Sequence, residues 1–278
     1  MPPDREGVMT QISYETLRTL PMGEIRSYIR TGAYTGQTAG FAPGNLQANL
    51  AVLGDGWSED FHAFCLENPQ PCPLVGVSGR GDPIMRDLGD IDIRTDIPSY
   101  NVYRDGSLVD TVPDMTDLWA EDSVAFALGC SFTFERALLD AGIRMKHIEQ
   151  NRTVPMYATN IQLKPVGPYS GGMVVSMRPV PKSQVDLAIE VTSAFPHAHG
   201  APVHAGDGSA IGVRNIDSPD WGEPAEFGPD DVAVFWACGV TPQNVLTQAK
   251  PPLCIAHTPG RMLVTDVTEE EARMRAAA

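Results

Sequence analysis

Val232-Ala233-Val234-Phe235-Trp236-Ala237, then Cys238-Gly239-Val240-Thr241-Pro242, then Gln243 to Ala249, then Leu253-Cys254-Ile255-Ala256-His257: an apolar run, a turn of small and polar residues, a helix-forming run, and a second apolar run. Near-continuous apolar strands joined through a helix are the sequence form of a parallel sheet covered on both faces. The chain is therefore expected to be α/β, its main domain built on a mixed or mostly parallel sheet. Upstream, Met145 to Ile148, Thr153 to Tyr157 and Met173 to Met177 read as strands, with Pro179 ending the last, and Lys182 to Phe195 reads as a helix. That span suits a smaller two-layer α+β domain over residues 146–229, inserted into a main domain of residues 1–145 and 230–278.

The amino-terminal half is read by its punctuation. Pro21 divides Ser13 to Ile29 into two short helices, and the closely spaced glycines from Gly32 to Gly44 make an ordered loop. Asn45 to Leu53 is a partly buried helix or strand, and Trp57 to Leu66 an amphipathic helix ending before Asn68-Pro69. Leu74 to Val77 is a short strand. Asp105-Gly106 sits between β-prone runs and predicts a hairpin over Tyr100 to Val109. Leu118 to Leu128 reads as a helix, and Phe132 to Ala141 as another, stopped by Gly142. Thr268 to Arg275, acidic before basic, suits a last short helix.

Thirty-five acidic and 20 basic residues among 278 give a formal net charge of -15, which disfavours nucleic acid and anionic membranes as partners, since both select positive surface. No apolar run is long enough to span a bilayer, and Met1 to Gly7 lacks the basic-then-apolar pattern of a signal peptide, so a cytoplasmic location is expected. Five cysteines, Cys65, Cys72, Cys130, Cys238 and Cys254, lack the spacing of a disulfide framework and read as reduced thiols; Cys65 and Cys72 read as structural. Gly36, Gly40 and Gly44 repeat without a phosphate-binding Lys or a dinucleotide fingerprint, so neither ATP nor NAD is expected, nor any other cofactor. A homo-oligomer is left open.

Residues suited to chemistry gather at the ends of predicted strands. The turn from Trp236 to Gln243 places Cys238, Gly239, Thr241 and Gln243 where helix-start amides meet a carboxylate, or simply caps a helix. Cys130 and Ser131 are nucleophile or hydrogen-bond candidates and Glu135 a pocket acid, with no Gly-x-Ser-x-Gly motif or triad order to rank them. His197, His199 and His204 form the densest imidazole group. Metal ligation, acid/base work by His199 or His204, and structural hydrogen bonding all fit their spacing, and no recognised metal motif is present. Arg94 and Arg178 suit carboxylate clamping or internal salt bridges. His257, Tyr157 and Asn160 complete the substrate-binding candidates, Tyr157 and Asn160 within a polar patch with Asn151 and Thr159 that equally suits a wet turn.

The segments Ile29 to Leu50, Asn68 to Pro73, Asp92 to Asp96, Gly129 to Phe132, Asn151 to Asn160, Val175 to Pro179, His199 to His204, Trp236 to Gln243 and His257 to Gly260 closely resemble the bacterial "putative hydro-lyase" family, also called DUF1445 or D-glutamate cyclase-like. The resemblance runs from about Leu17 to Val267. It implies a two-domain α/β lyase acting on a small carboxylic or amino acid, and through the cyclase relationship it suggests closure of D-glutamate to 5-oxo-D-proline. In that scheme His199 or His204 is the base, while Arg94 or Arg178 and the turn after Trp236 hold carboxylates. The alternative is a noncatalytic sensor or binding protein for a small acid.

Overall fold

In a computed structural model, residues 12–38, 40–150 and 152–276 are described. The amino-terminal segment Met1 to Gly7 and Asn151 lie outside the described residues. The elements run α1 Tyr14–Leu17, α2 Met22–Arg30, β1 Asn45–Leu53, α3 Ser58–Glu67, β2 Leu74–Val77, β3 Tyr100–Arg104, β4 Ser107–Val112, β5 Val124–Gly129, α4 Phe132–Asp140 and α5 Lys146–Glu149. They continue with β6 Met156–Gln162, β7 Gly172–Pro181, α6 Val185–Ser193, β8 His204–Ala205, β9 Asp231–Ala237, α7 Val240–Ala249, β10 Cys254–His257, β11 Leu263–Thr268 and α8 Glu269–Ala276. No helix among the described residues is long and apolar enough to cross a membrane.

Two sheets result, one of seven strands ordered β2-β5-β1-β10-β3-β4 with β11 also on β1, the other of four strands ordered β6-β7-β9-β8. Every strand pairing in both is antiparallel, which overturns the expected mixed or mostly parallel sheet. The strand-helix-strand pattern is present, but its two strands belong to different sheets: β9 pairs with β7 and β8, whereas β10 pairs with β1 and β3. Helix α7 carries the chain from one sheet to the other, so the parallel crossover rule never applies.

The apolar continuity that suggested parallel strands comes from burial on both faces. In β1, Ala51 and Leu53 join a core shared with Val175, Phe235 and Ala237 of the other sheet, while Leu46, Ala48, Leu50 and Val52 turn to a second core with Met85, Ile91 and Val267. In β9, Ala233, Phe235 and Ala237 face the shared core, and Val234 and Trp236 face Phe134 and Leu138 of α4. A sheet packed on a sheet on one side and on helices or loops on the other needs apolar residues at every position, whatever its strand direction.

Three further expectations are corrected. Residues 124–128, expected to be the second half of a helix, belong with Gly129 to β5, because Phe126 and Leu128 fit the shared core while Ala125 and Ala127 fit the second; packing between β1 and β2 outweighs helix propensity. Lys146–Glu149 is a single helical turn rather than a strand. Pro179 lies inside β7: Met177 N–H bonds Pro155 at the start of the β6 edge, and β6 goes no further, so the missing N–H two residues on has no partner to lose.

β1 shares one edge between β10, at Ala51 to Leu53, and β11, at Asn45 to Ala48. In the gap, Leu50 N–H donates to His257 Nδ1 at 3.1 Å, so the imidazole replaces a missing ladder bond.

Candidate active site

Two strand-to-helix turns meet where the sheets join. β5 ends at Gly129, followed by Cys130, Ser131 and α4; β9 ends at Ala237, followed by Cys238, Gly239 and α7. Each glycine is required by a close approach. A Cβ on Gly129 would lie 1.7 Å from the His197 carbonyl oxygen, and one on Gly239 would lie 2.4 Å from Asn49 Nδ2.

Asn49 and Arg178 tie the turns together. Asn49 Nδ2 donates to the Gly129 carbonyl at 3.1 Å while its amide abuts Gly239, so one side chain touches the residue before Cys130 and the residue after Cys238. Arg178, on β7, is 1 % exposed. Its Nη1 donates to Ser176 Oγ at 3.0 Å and its Nη2 to Ser131 Oγ at 3.3 Å, and the guanidinium lies 5.1 Å from the Phe134 ring centre and 5.4 Å from that of Trp236.

Glu135 balances the arginine charge. Its Oε1 accepts from Arg178 Nε at 3.0 Å and from Arg178 Nη2, and lies 3.2 Å from His147 Nε2. Burial pushes the carboxyl up, but the Arg178 charge together with His147 overrides it and brings it down to about 2. Glu135 is thus a fixed anion rather than a proton donor. Breaking such a pair would strand a buried charge, a cost of about 3–5 kcal/mol, so the pair stiffens the ground between the turns.

The two thiols occupy equivalent places. The Phe132 N–H faces Cys130, and the Val240 N–H faces Cys238, each two residues on at a helix start. Burial pushes Cys130 up to about 12 and raises Cys238, against the pull of those amides and of Arg178. Both thiols are therefore protonated at neutral pH, and each faces an amide that would stabilise its thiolate.

His199 is fully buried and sits in the left-handed region at φ 77°, a conformation uncommon for a side-chain-bearing residue. Its Nδ1 lies 2.9 Å from the Gln70 carbonyl; a carbonyl only accepts, so Nδ1 carries the proton and the Nε2 lone pair is left without a partner. Burial, reinforced by the Arg178 charge, lowers its pKa to about 4, keeping the imidazole neutral. The result is an acceptor held ready for a proton.

The remaining candidates are engaged elsewhere. Arg94 holds Asp92 through Nε at 2.9 Å and Nη2 at 2.7 Å. His204 Nε2 bonds the Asp207 carbonyl at 2.8 Å, Tyr157 donates to the Ile216 carbonyl at 2.6 Å, and Asn160 packs on Gly212. Thr241 Oγ1 exchanges hydrogen bonds with the Val174 main chain, Gln243 donates to the Tyr103 hydroxyl at 3.0 Å, and His257 serves Leu50. Among the described residues no group of three or more His, Cys, Asp or Glu side chains is arranged to hold a metal ion.

Sequence reasoning missed Asn49, Ser176 and His147 as parts of this site. Asn49 had a signal: with Gln47 it places amides at alternate positions of an otherwise apolar strand. Ser176 and His147 had none, because each matters only through a partner distant in sequence.

A family model described as D-glutamate cyclase matches residues 124–266, which include Cys130, Glu135, Arg178, His199 and Cys238. A protein of Dinoroseobacter shibae named "Putative hydro-lyase" is 52% identical, over 92% of this chain and 86% of its own length. Another of that name, from a Jannaschia species, is 54% identical over 91% of this chain and 95% of its own, and one from Bordetella pertussis is 54% identical over 86% of each. Among solved structures, a nitrogen repressor-like protein from Methanococcus jannaschii covers 84% of this chain and 91% of its own at 10% identity, with a TM-score of 0.37, too low to bear on the fold.

Proposed function

The chain belongs to the D-glutamate cyclase family of enzymes, and we propose that it removes water from a small carboxylic or amino acid held between the Cys130 and Cys238 turns. The observation that carries this reading is the pairing of two protonated thiols at helix starts, bridged by Asn49 and Arg178, with an unpartnered neutral imidazole at His199. Loss of water requires a base for one proton and an acid for the departing oxygen, and this reading assigns His199 as the base and a thiol as the acid.

In an elimination, His199 Nε2 takes the proton beside the carboxylate, the carbon–carbon double bond forms, and the carbon–oxygen bond breaks. A thiol protonates the leaving hydroxide to give water, and the imidazolium returns a proton to the thiolate. The amides of Phe132 and Val240 stabilise the transient thiolate. The enclosure of both cysteines, 8 % and 7 % exposed, keeps solvent from intercepting these transfers.

The narrower reaction, closure of D-glutamate to 5-oxo-D-proline, uses the same groups. The ammonium loses two protons as its nitrogen attacks the side-chain carboxyl carbon, and one carboxyl oxygen leaves with them as water. His199 accepts a proton from the amine, a thiol protonates the departing carboxyl oxygen, and the imidazolium returns a proton to the thiolate.

The test is NMR of the purified full chain in D2O with D-glutamate, L-glutamate, 5-oxo-D-proline and a panel of small hydroxy and amino acids in turn. Dehydration or cyclisation of one of them is expected. Saturable binding of an acid without any turnover or solvent exchange would replace the reading with that of a small-acid binder.

A further inference from the structure

We infer a second binding site, for a short aliphatic carboxylate, in the cavity between α8 and the seven-stranded sheet. The inference is independent of the thiol site. The cavity, of about 120 Å³, has apolar walls that include Leu46, Leu88, Val267 and Ala272, and two polar residues, His197 and Arg275. Cavities of about 150 Å³ hold a single benzene-sized molecule, so the space suits a short chain and excludes a nucleotide.

His197 supplies the observation that points to a ligand. It is 6 % exposed, and neither ring nitrogen has a partner, an arrangement that native interiors rarely leave unanswered. Burial, with the Arg273 charge beside it, keeps the ring neutral, so it offers one N–H donor at the cavity wall. Arg275 is exposed and uses Nη1 on the Asp87 carbonyl at 2.9 Å. The acid nearest it in sequence, Glu271, is turned onto the Thr268 N–H and hydroxyl, and no carboxylate among the described residues forms an ion pair with Arg275.

An apolar pocket with a guanidinium at one end and a neutral N–H in its wall fits a molecule with a hydrocarbon body and an anionic head. In a chain of net charge -15, an arginine that forms no ion pair among the described residues and lies beside such a pocket selects the carboxylate over its alcohol. The His197 carbonyl packs on Gly129, and His199 is two residues further on; an occupant touching His197 therefore touches the loop that presents the candidate base.

The test is ligand-observed NMR titration of the full chain with hexanoate, using acetate to supply the head alone and 1-hexanol the chain alone. Saturable hexanoate binding is expected, at least tenfold tighter than either control. It should weaken at least tenfold in Arg275→Gln, whose exposed side chain can change without disturbing the core, and in Ala272→Leu, which fills the cavity, while Cys130→Ser leaves it intact. The proposal is overturned if hexanoate does not saturate, if acetate or hexanol binds equally well, or if neither α8 variant weakens it. Loss of binding in Cys130→Ser alone would also overturn it, placing the acid in the thiol site.

Discussion

At the scale of single residues, the site is governed by which groups burial keeps neutral and which a buried partner keeps charged. His197, His199 and His257 are each held near a pKa of about 4 by burial, below the ordinary histidine value of about 6.5. Below that ordinary value the unfolded chain takes up protons that the folded chain refuses, so each histidine drains stability as the pH falls from about 6.5 towards about 4. Glu135 has the same sign at lower pH: its pKa of about 2 in the folded protein gives stability that is complete above the ordinary carboxylate range and lost as the pH approaches 2. A melting-temperature profile from pH 8 to pH 3 is expected to be flat at first and then to fall continuously from about pH 6.5. A profile unchanged down to pH 4.5 would mean that these imidazoles are not held neutral.

At the scale of elements, the two strand-to-helix turns depend on glycines for different reasons. The Gly129 Cβ position is blocked by main chain and that of Gly239 by the end of the Asn49 side chain. Gly129→Ala should therefore cost at least about 1–3 kcal/mol in urea unfolding, the usual range for overpacking. Gly239→Ala should cost less stability and still lose turnover, because it displaces the amide that bridges the turns. Equal stability losses with activity retained in Gly239→Ala would separate Asn49 from the site. Much of this was legible beforehand: the Asp105-Gly106 hairpin, the Pro21 break, the Gly142 stop and the turns at Cys130 and Cys238 follow from local chemistry. Strand direction was not, since an apolar run records that both faces are buried and not which neighbour lies beside it. β5 was misread for a related reason, its Ala and Leu being helix formers placed between two strands.

At the scale of the molecule, antiparallel pairing turns α4 and α7 into bridges between sheets. The chain leaves the seven-stranded sheet after β5 and returns to it after β9, and the two crossings bring Cys130 and Cys238 to one place. The sequence supplied both cysteines, Glu135 and Arg178 as candidates but could not say that their turns come together, because 108 positions separate the thiols and the contacts at these turns run through Asn49 and Arg178 on other strands. Arg94, His204 and Tyr157 looked equally suitable in sequence and are committed to other hydrogen bonds instead, while Asn160 packs on Gly212.

The most direct test is the turnover of Cys130→Ser and Cys238→Ser on the acid that wild type dehydrates, with circular dichroism and melting temperature measured on the same samples. Serine keeps the shape and puts a less acidic hydroxyl in place of the thiol, so each variant is expected to fold as wild type and to lose at least about 100-fold in kcat, the lower end of what a positioned acid or base contributes. Either variant retaining near wild-type kcat would contradict a chemistry shared between the two turns.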